Sequence, residues 1–236
     1  MNTDAAIVFG ATGGIGAALI NRLLQHASYR TVIGFSRRPC SSLCDRLGYY
    51  TFDPQQPDQA ALRASIDRHG VTPRTVIVAT GGLDGDGMFP EKNLGRVTAQ
   101  SLLASFNLNA ILPLMLVKAC LPVLKPDANI LVLSAKVGSI DDNRYGGWYG
   151  YRMSKSALNM GMKTLAIELA RRKHHPNLLL VHPGTTRTEM SSPYLHSDTY
   201  FAEPDKTADR LLELANSELA QKHGQFVHWD GSTIRW

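Results

Sequence analysis

Short apolar runs rich in β-branched residues alternate along this chain with longer stretches of helical periodicity. The runs fall at residues 5–9, 31–35, 49–52, 75–79, 129–133, 178–181 and 225–228, and each predicts a strand. Between them, residues 15–26, 59–69, 99–124, 150–172 and 205–222 predict helices. Polar and apolar positions do not alternate strictly within the runs, so the strands are expected to be covered on both faces and to pair in parallel. The expected fold class is α/β: a single doubly wound, Rossmann-type domain with a seven-stranded, mostly parallel sheet and helices on both faces. No internal repeat, low-complexity tract or linker divides the sequence, so one domain over residues 1–236 is expected.

Composition changes this picture little. Hydrophobic residues make up 44% and charged residues 19%, which excludes a disordered chain. The net charge of +5 suits an anionic small molecule, and no Lys/Arg block points to nucleic acid. The most apolar stretch, 110–117, is too short to span a membrane, and no basic leader precedes the first strand. Cys40, Cys44 and Cys120 are odd in number and widely placed, which argues against a disulfide framework and against a metal site. The expectation is a soluble cytoplasmic protein without metal, membrane or nucleic-acid partners.

Candidate chemistry begins at the first strand-to-helix turn, Gly10-Ala11-Thr12-Gly13-Gly14-Ile15-Gly16. Missing side chains let backbone N–H groups approach a pyrophosphate, and the helix N-terminus adds partial positive charge. A tight turn without a ligand is the bland alternative. The second strand ends Ser36-Arg37-Arg38 with no carboxylate, where an NAD site usually carries Asp or Glu for the ribose. Ser36 and the arginines suit a 2′-phosphate, which favours NADP over NAD, although a solvated basic turn has the same composition. Further along, Tyr151 and Lys155 stand four apart at the start of a long predicted helix and so share one face. An ammonium beside a phenol is expected to lower the phenol pKa and fit it for proton transfer.

Taken together, Gly10-x-x-x-Gly14-Ile15-Gly16, Tyr151-x-x-x-Lys155 and Pro183-Gly184-x-x-x-Thr188 resemble the short-chain dehydrogenase/reductase family over essentially the whole chain. The segment from Gly146 to Asn159, with Pro90-Glu91-Lys92 and Trp229-Asp230-Gly231, is similar to the branch of sniffer-type carbonyl reductases and C-factor proteins. The resemblance implies Tyr151 as acid/base, Lys155 as its partner and ribose ligand, and Asn109 in the proton relay. It implies Asp53 at adenine, Thr80, Gly81 and Gly82 at the adenosine ribose, and Pro183, Gly184, Thr186 and Thr188 around the nicotinamide carboxamide. Asp53 can equally be a turn cap before Pro54, and the threonines ordinary loop caps. The family also implies a homodimer or homotetramer acting on a small carbonyl or alcohol.

Two departures stand out. The family's Asn-Asn-Ala-Gly reads Ala79-Thr80-Gly81-Gly82, and the place of its catalytic serine, three before Gly138, holds Ala135. Ser139 is the first substitute and Ser134 the second, because an extended chain points Ser134 away from the Ala135 face. A site without any serine also remains open. Two readings therefore stand: an NADP(H)-dependent reductase of a small ketone or aldehyde, and a cofactor-binding signalling or regulatory protein with little turnover. The substrate roof is expected at residues 191–200, with Met88, Trp148 and Tyr149. Pro113, which cannot donate to the Asn109 carbonyl, is expected to bend the helix there, either merely to follow the core or to leave that carbonyl for a relay water that links it to Lys155.

Overall fold

The computed structural model describes residues 4–40, 44–194, 200–216 and 219–236. Seven strands form one sheet: β1 (Asp4–Phe9), β2 (Tyr29–Ser36), β3 (Leu47–Thr51), β4 (Thr75–Val78), β5 (Asn129–Leu133), β6 (Asn177–His182) and β7 (Phe226–His228). Their order is β3-β2-β1-β4-β5-β6-β7, and all six pairings are parallel, not merely most of them. This is the doubly wound arrangement expected from the uninterrupted apolar runs.

Alternation along each strand divides the core into two layers. Ile7, Phe9, Ile33 and Phe35 face one side with Leu62 and Ile66 of α2 (Gln59–Asp67), Leu112 and Leu116 of α4 (Leu112–Cys120), and Leu158 and Met162 of α5 (Tyr149–Leu169). Ala6, Val8, Val32 and Ile77 face the other side with Leu19 and Leu23 of α1 (Gly14–Gln25) and Leu211 and Leu212 of α6 (Pro204–Asn216). Both faces of the sheet are thus covered, which accounts for the apolar runs in the middle of its strands, with polar residues such as Asp4, Ser36, Asn129 and Asn177 kept to strand ends. Local signals fix several helix starts. Asp58 accepts from the Ala60 and Ala61 N–H groups, and Thr98 forms a capping box with Ser101 at the start of α3 (Ala99–Phe106).

The long helix expected over 99–124 is broken into parts. A π-helical turn at Asn107–Ile111 separates α3 from α4, and the Leu112 N–H reaches back five residues to the Asn107 carbonyl. Pro113 sits in the first turn of α4, where its missing N–H leaves the ladder around Asn109 without its ordinary partner. The 25-residue segment Ala99–Val123, with a mean hydropathy of 1.6 over its 18-residue window, is nonetheless long and apolar enough to cross a membrane by those two criteria, which the shorter window 110–117 missed. Here Leu112, Leu116, Val117 and Cys120 lie in the core beneath the sheet.

Candidate active site

A cleft of about 650 Å³ opens at the carboxyl ends of β1 and β4, the point where the strand order reverses. Its walls include Gly10, Thr12, Gly13, Gly14, Ile15, Gly16, Ser36, Arg37, Arg38, Thr80, Gly81, Gly82 and Thr188. The sequence thus brings the first turn, the end of β2, the exit of β4 and the loop after β6 to one place. Gly16 is required by close approach: a β-carbon there would lie 2.1 Å from the Gly10 carbonyl oxygen. The N-cap of α1 is Gly13, which has no side chain to satisfy the first-turn N–H groups. Thr80 Oγ1, in the same wall, is buried without a hydrogen-bond partner. Uncapped amides and an orphaned hydroxyl around a cleft of this size fit the pyrophosphate and ribose of a dinucleotide.

At the far end of β2, Arg37 pairs with Asp86 from the loop after β4, and both side chains are more than half exposed. The Ser36 hydroxyl donates to the Arg38 carbonyl and closes the turn. A 2′-phosphate must therefore compete with Asp86 for Arg37 and with Arg38 for the Ser36 proton. Asp53 lies outside the main cleft, in an adjoining groove, and its Oδ1 accepts from the Gln55 N–H at 2.8 Å, the geometry of a turn cap.

Tyr151 and Lys155 lie in the first two turns of α5, with the Lys155 ammonium 5.8 Å from the centroid of the Tyr151 ring. Lys155 Nζ donates to the Leu133 carbonyl at 3.1 Å. A β-carbon on Gly81 would stand 3.4 Å from Lys155 Nζ and 3.1 Å from Asn109 Oδ1, so both side chains reach the cleft floor. Burial dominates the titration of the pair. It pushes the Tyr151 phenol up to about 12 and the Lys155 ammonium down to about 8. The phenol pKa that was expected to fall beside its lysine neighbour is thus raised instead, by the desolvation of the phenolate.

Asn109 is buried, and its amide clamps the β4 exit: Nδ2 donates to the Gly82 carbonyl and Oδ1 accepts from the Gly82 N–H, each at 2.9 Å. This brace ties the β4 exit to the π-helical turn that carries Asn109. The two serines have structural partners. Ser134 Oγ donates to Asn159 Oδ1 at 2.6 Å, and Ser139 Oγ accepts from the Asp142 N–H at 3.1 Å. Ala135 is half-buried and extended, between Ser134 and the 3-10 turn Lys136–Gly138. After β6, Thr188 bonds Ser191 at the cleft, whereas the Thr186 hydroxyl pairs with Thr207 of α6 at 2.9 Å. Pro183 and Gly184 sit behind that loop, with Gly184 against Trp229.

Of the expected roof, residues 195–199 lie outside the described residues. Tyr194 bonds Asp84 at 2.9 Å across the cleft, and its ring meets Trp148, which in turn meets Tyr151, with centroids 5.5 and 6.3 Å apart. Asp84, Asp86 and Glu91 were not marked as site residues by the sequence. Only the position of the first two, just past Gly81-Gly82, could have pointed to them.

Comparison with known proteins agrees with this geometry. The family described as short chain dehydrogenase matches residues 4–198, and the chain belongs to it. The chain is 31% identical over 145 residues to the C-signal protein of Myxococcus xanthus, covering 61% of this chain and 83% of that one. The carbonyl reductase Sniffer of D. melanogaster has the same fold, with a TM-score of 0.84, 23% identity, and coverage of 99% of this chain and 100% of that one. A short-chain dehydrogenase/reductase from Burkholderia multivorans with bound NADP gives a TM-score of 0.81 at 26% identity over 99% of this chain and 100% of that one.

Proposed function

We propose that this protein is an NADP(H)-dependent oxidoreductase that reduces a small ketone or aldehyde, with Tyr151 as the proton donor. The observation that carries the reading is that Tyr151 and Lys155 lie one helical turn apart, with Lys155 Nζ against Gly81 at the floor of the cleft that the glycine turn lines. A nicotinamide cofactor held there would supply hydride chemistry at the carbonyl carbon. Tyr151 gives its proton to the alkoxide oxygen that develops. The phenol, raised by burial, is protonated at neutral pH and so carries the proton to be given. Lys155 holds the nicotinamide ribose, and Asn109, with the carbonyl that Pro113 cannot engage, supports the proton relay. Thr188, with Pro183, Gly184 and Thr186 behind it, holds the carboxamide, and Thr80, Gly81 and Gly82 the adenosine ribose. Asp53 borders the adenine.

Trp148, Tyr194 and Met88 beside this floor support an apolar carbonyl substrate. Exposed Leu103, Ile111, Met153, Met160 and Ile167 on the α3–α4 segment and α5 support self-association as a homodimer or homotetramer. Localisation in the cytoplasm fits the same reading.

Arg37, with Ser36 and Arg38, takes the 2′-phosphate. NADPH is therefore expected to bind about tenfold or more tightly than NADH, the value of one charge-assisted contact of roughly 1.5–3 kcal/mol. Isothermal titration of Arg37→Ala should erase most of that preference, and Asp86→Asn, which frees Arg37, should enlarge it. Equal affinities of the unaltered protein for the two cofactors would remove the assignment.

The serine is tested by three variants. Ser139→Ala should lower turnover more than Ser134→Ala, and Ala135→Ser should raise it, because it restores an oxyanion donor worth roughly 10²–10³ in other enzymes. Ala135 also favours a second reading, a cofactor-binding signalling protein with little turnover. NADPH oxidation with a panel of carbonyl compounds separates the two, since a binder shows affinity without consumption.

A further inference from the structure

Glu91 lies in the loop between β4 and α3, only 1% exposed, and makes no ion pair among the described residues. A buried carboxylate without a cation is costly unless hydrogen bonds and a helix N-terminus offset its desolvation. Its bonds all converge on the start of α5 and its neighbour α3. The backbone carbonyl of Glu91 accepts from the Trp148 N–H at 2.5 Å, Oε2 accepts from the Gly150 N–H at 3.1 Å, and Oε1 accepts from the Ser101 hydroxyl at 3.3 Å. Gly150 makes room for this contact: a β-carbon there would lie 3.1 Å from Glu91 Oε1 and 2.8 Å from Ser105 Oγ.

The residue held between these bonds is under backbone strain. Trp148, the N-cap of α5, has φ +52° and ψ +46°, a left-handed conformation that is unfavourable for a bulky residue and persists only where its surroundings impose it. From that conformation its indole meets Tyr151 on one side and Tyr194 on the other. We infer that Glu91 is a positioning residue: its carboxylate and carbonyl clamp residues 148 and 150, hold Trp148 left-handed, and thereby fix the Tyr151 phenol at the cleft floor. The inference rests on Tyr151 being the proton donor, but the clamp can be read without turnover.

The test labels the three tryptophans, Trp148, Trp229 and Trp236, with fluorotryptophan and compares the full-length protein with Glu91→Gln and Glu91→Ala by fluorine NMR, alongside steady-state kinetics. In both variants the Trp148 signal should move or split while Trp229 and Trp236 stay in place. In Glu91→Gln, kcat should fall about tenfold while the KM for NADPH changes less than about twofold, since loss of transition-state geometry lowers kcat before binding. Glycine adopts the left-handed conformation freely, so in a Trp148→Gly background the same Glu91→Gln change should cost less than about twofold. An unmoved Trp148 signal, a joint movement of all three signals, or an undiminished Glu91 effect in the glycine background would each overturn the inference. A protein that never turns over NADPH, yet shows the selective Trp148 shift, would fail the proposed function and leave the clamp standing.

Discussion

Tyr151→Phe is expected to lower kcat/KM for carbonyl reduction by roughly 10²–10⁴, the range associated with loss of a positioned general acid. The change removes one oxygen from a half-buried side chain and keeps the ring that meets Trp148. NADPH affinity should therefore change by no more than about twofold, because the cleft walls that Gly14, Arg37 and Thr188 build are untouched. Stability should hold within about 1 kcal/mol, since Tyr151 is half-buried and the change removes a single hydroxyl while keeping the ring. A variant that keeps full activity would place the proton donor elsewhere. Parallel losses of turnover and cofactor binding would instead make Tyr151 a structural residue.

Lys155→Met should separate stability from activity in opposite directions. Burial lowers the ammonium pKa from 10.5 to about 8, so the folded state holds its proton less tightly than the unfolded state does. That difference corresponds to roughly 3 kcal/mol of destabilisation below pH 8, where both states are charged. It disappears as pH rises from about 8 to 10.5, because the folded state loses its proton first and stability increases with pH through that window. Methionine removes the charge at similar volume but leaves the Leu133 carbonyl without its donor, a cost of about 1 kcal/mol. The net expectation near neutral pH is a gain of about 2 kcal/mol in denaturant unfolding, narrowing above pH 8, together with a loss of kcat/KM of roughly 10² or more. A destabilised variant at pH 7 would show that the lysine is held by interactions stronger than its desolvation.

Much of this architecture is legible in the sequence, because it depends on local patterns. Apolar runs such as Thr75–Val78 and Asn129–Leu133 read directly as buried parallel strands, since both of their faces are covered. The glycine turn and the Tyr151–Lys155 pair are also local, one set by close approach and the other by helical spacing. What escaped the sequence depends on contacts between distant segments. The Arg37–Asp86 pair joins residues 49 apart, and the Glu91–Gly150 bond joins residues 59 apart. Nothing near Glu91 marks it as buried. The break at Asn107–Ile111 is foreshadowed by Pro113, whereas the Asn109 clamp on Gly82 within it joins residues 27 apart. The direction of the Tyr151 shift was missed for a related reason. Helical spacing shows that an ammonium is near, whereas the burial that raises the phenol pKa is a property of the whole fold.

The most direct measurement of the central claim follows the hydride itself. NADPH deuterated at the transferring C4 position is incubated with the protein and a panel of apolar ketones and aldehydes, and the products are read by mass spectrometry. Deuterium on the carbinol carbon, formed in step with NADP⁺ by the unaltered protein and lost in Tyr151→Phe, is the predicted result. Tight NADPH binding with no labelled alcohol from any carbonyl compound would contradict the account and leave a cofactor-binding protein in its place.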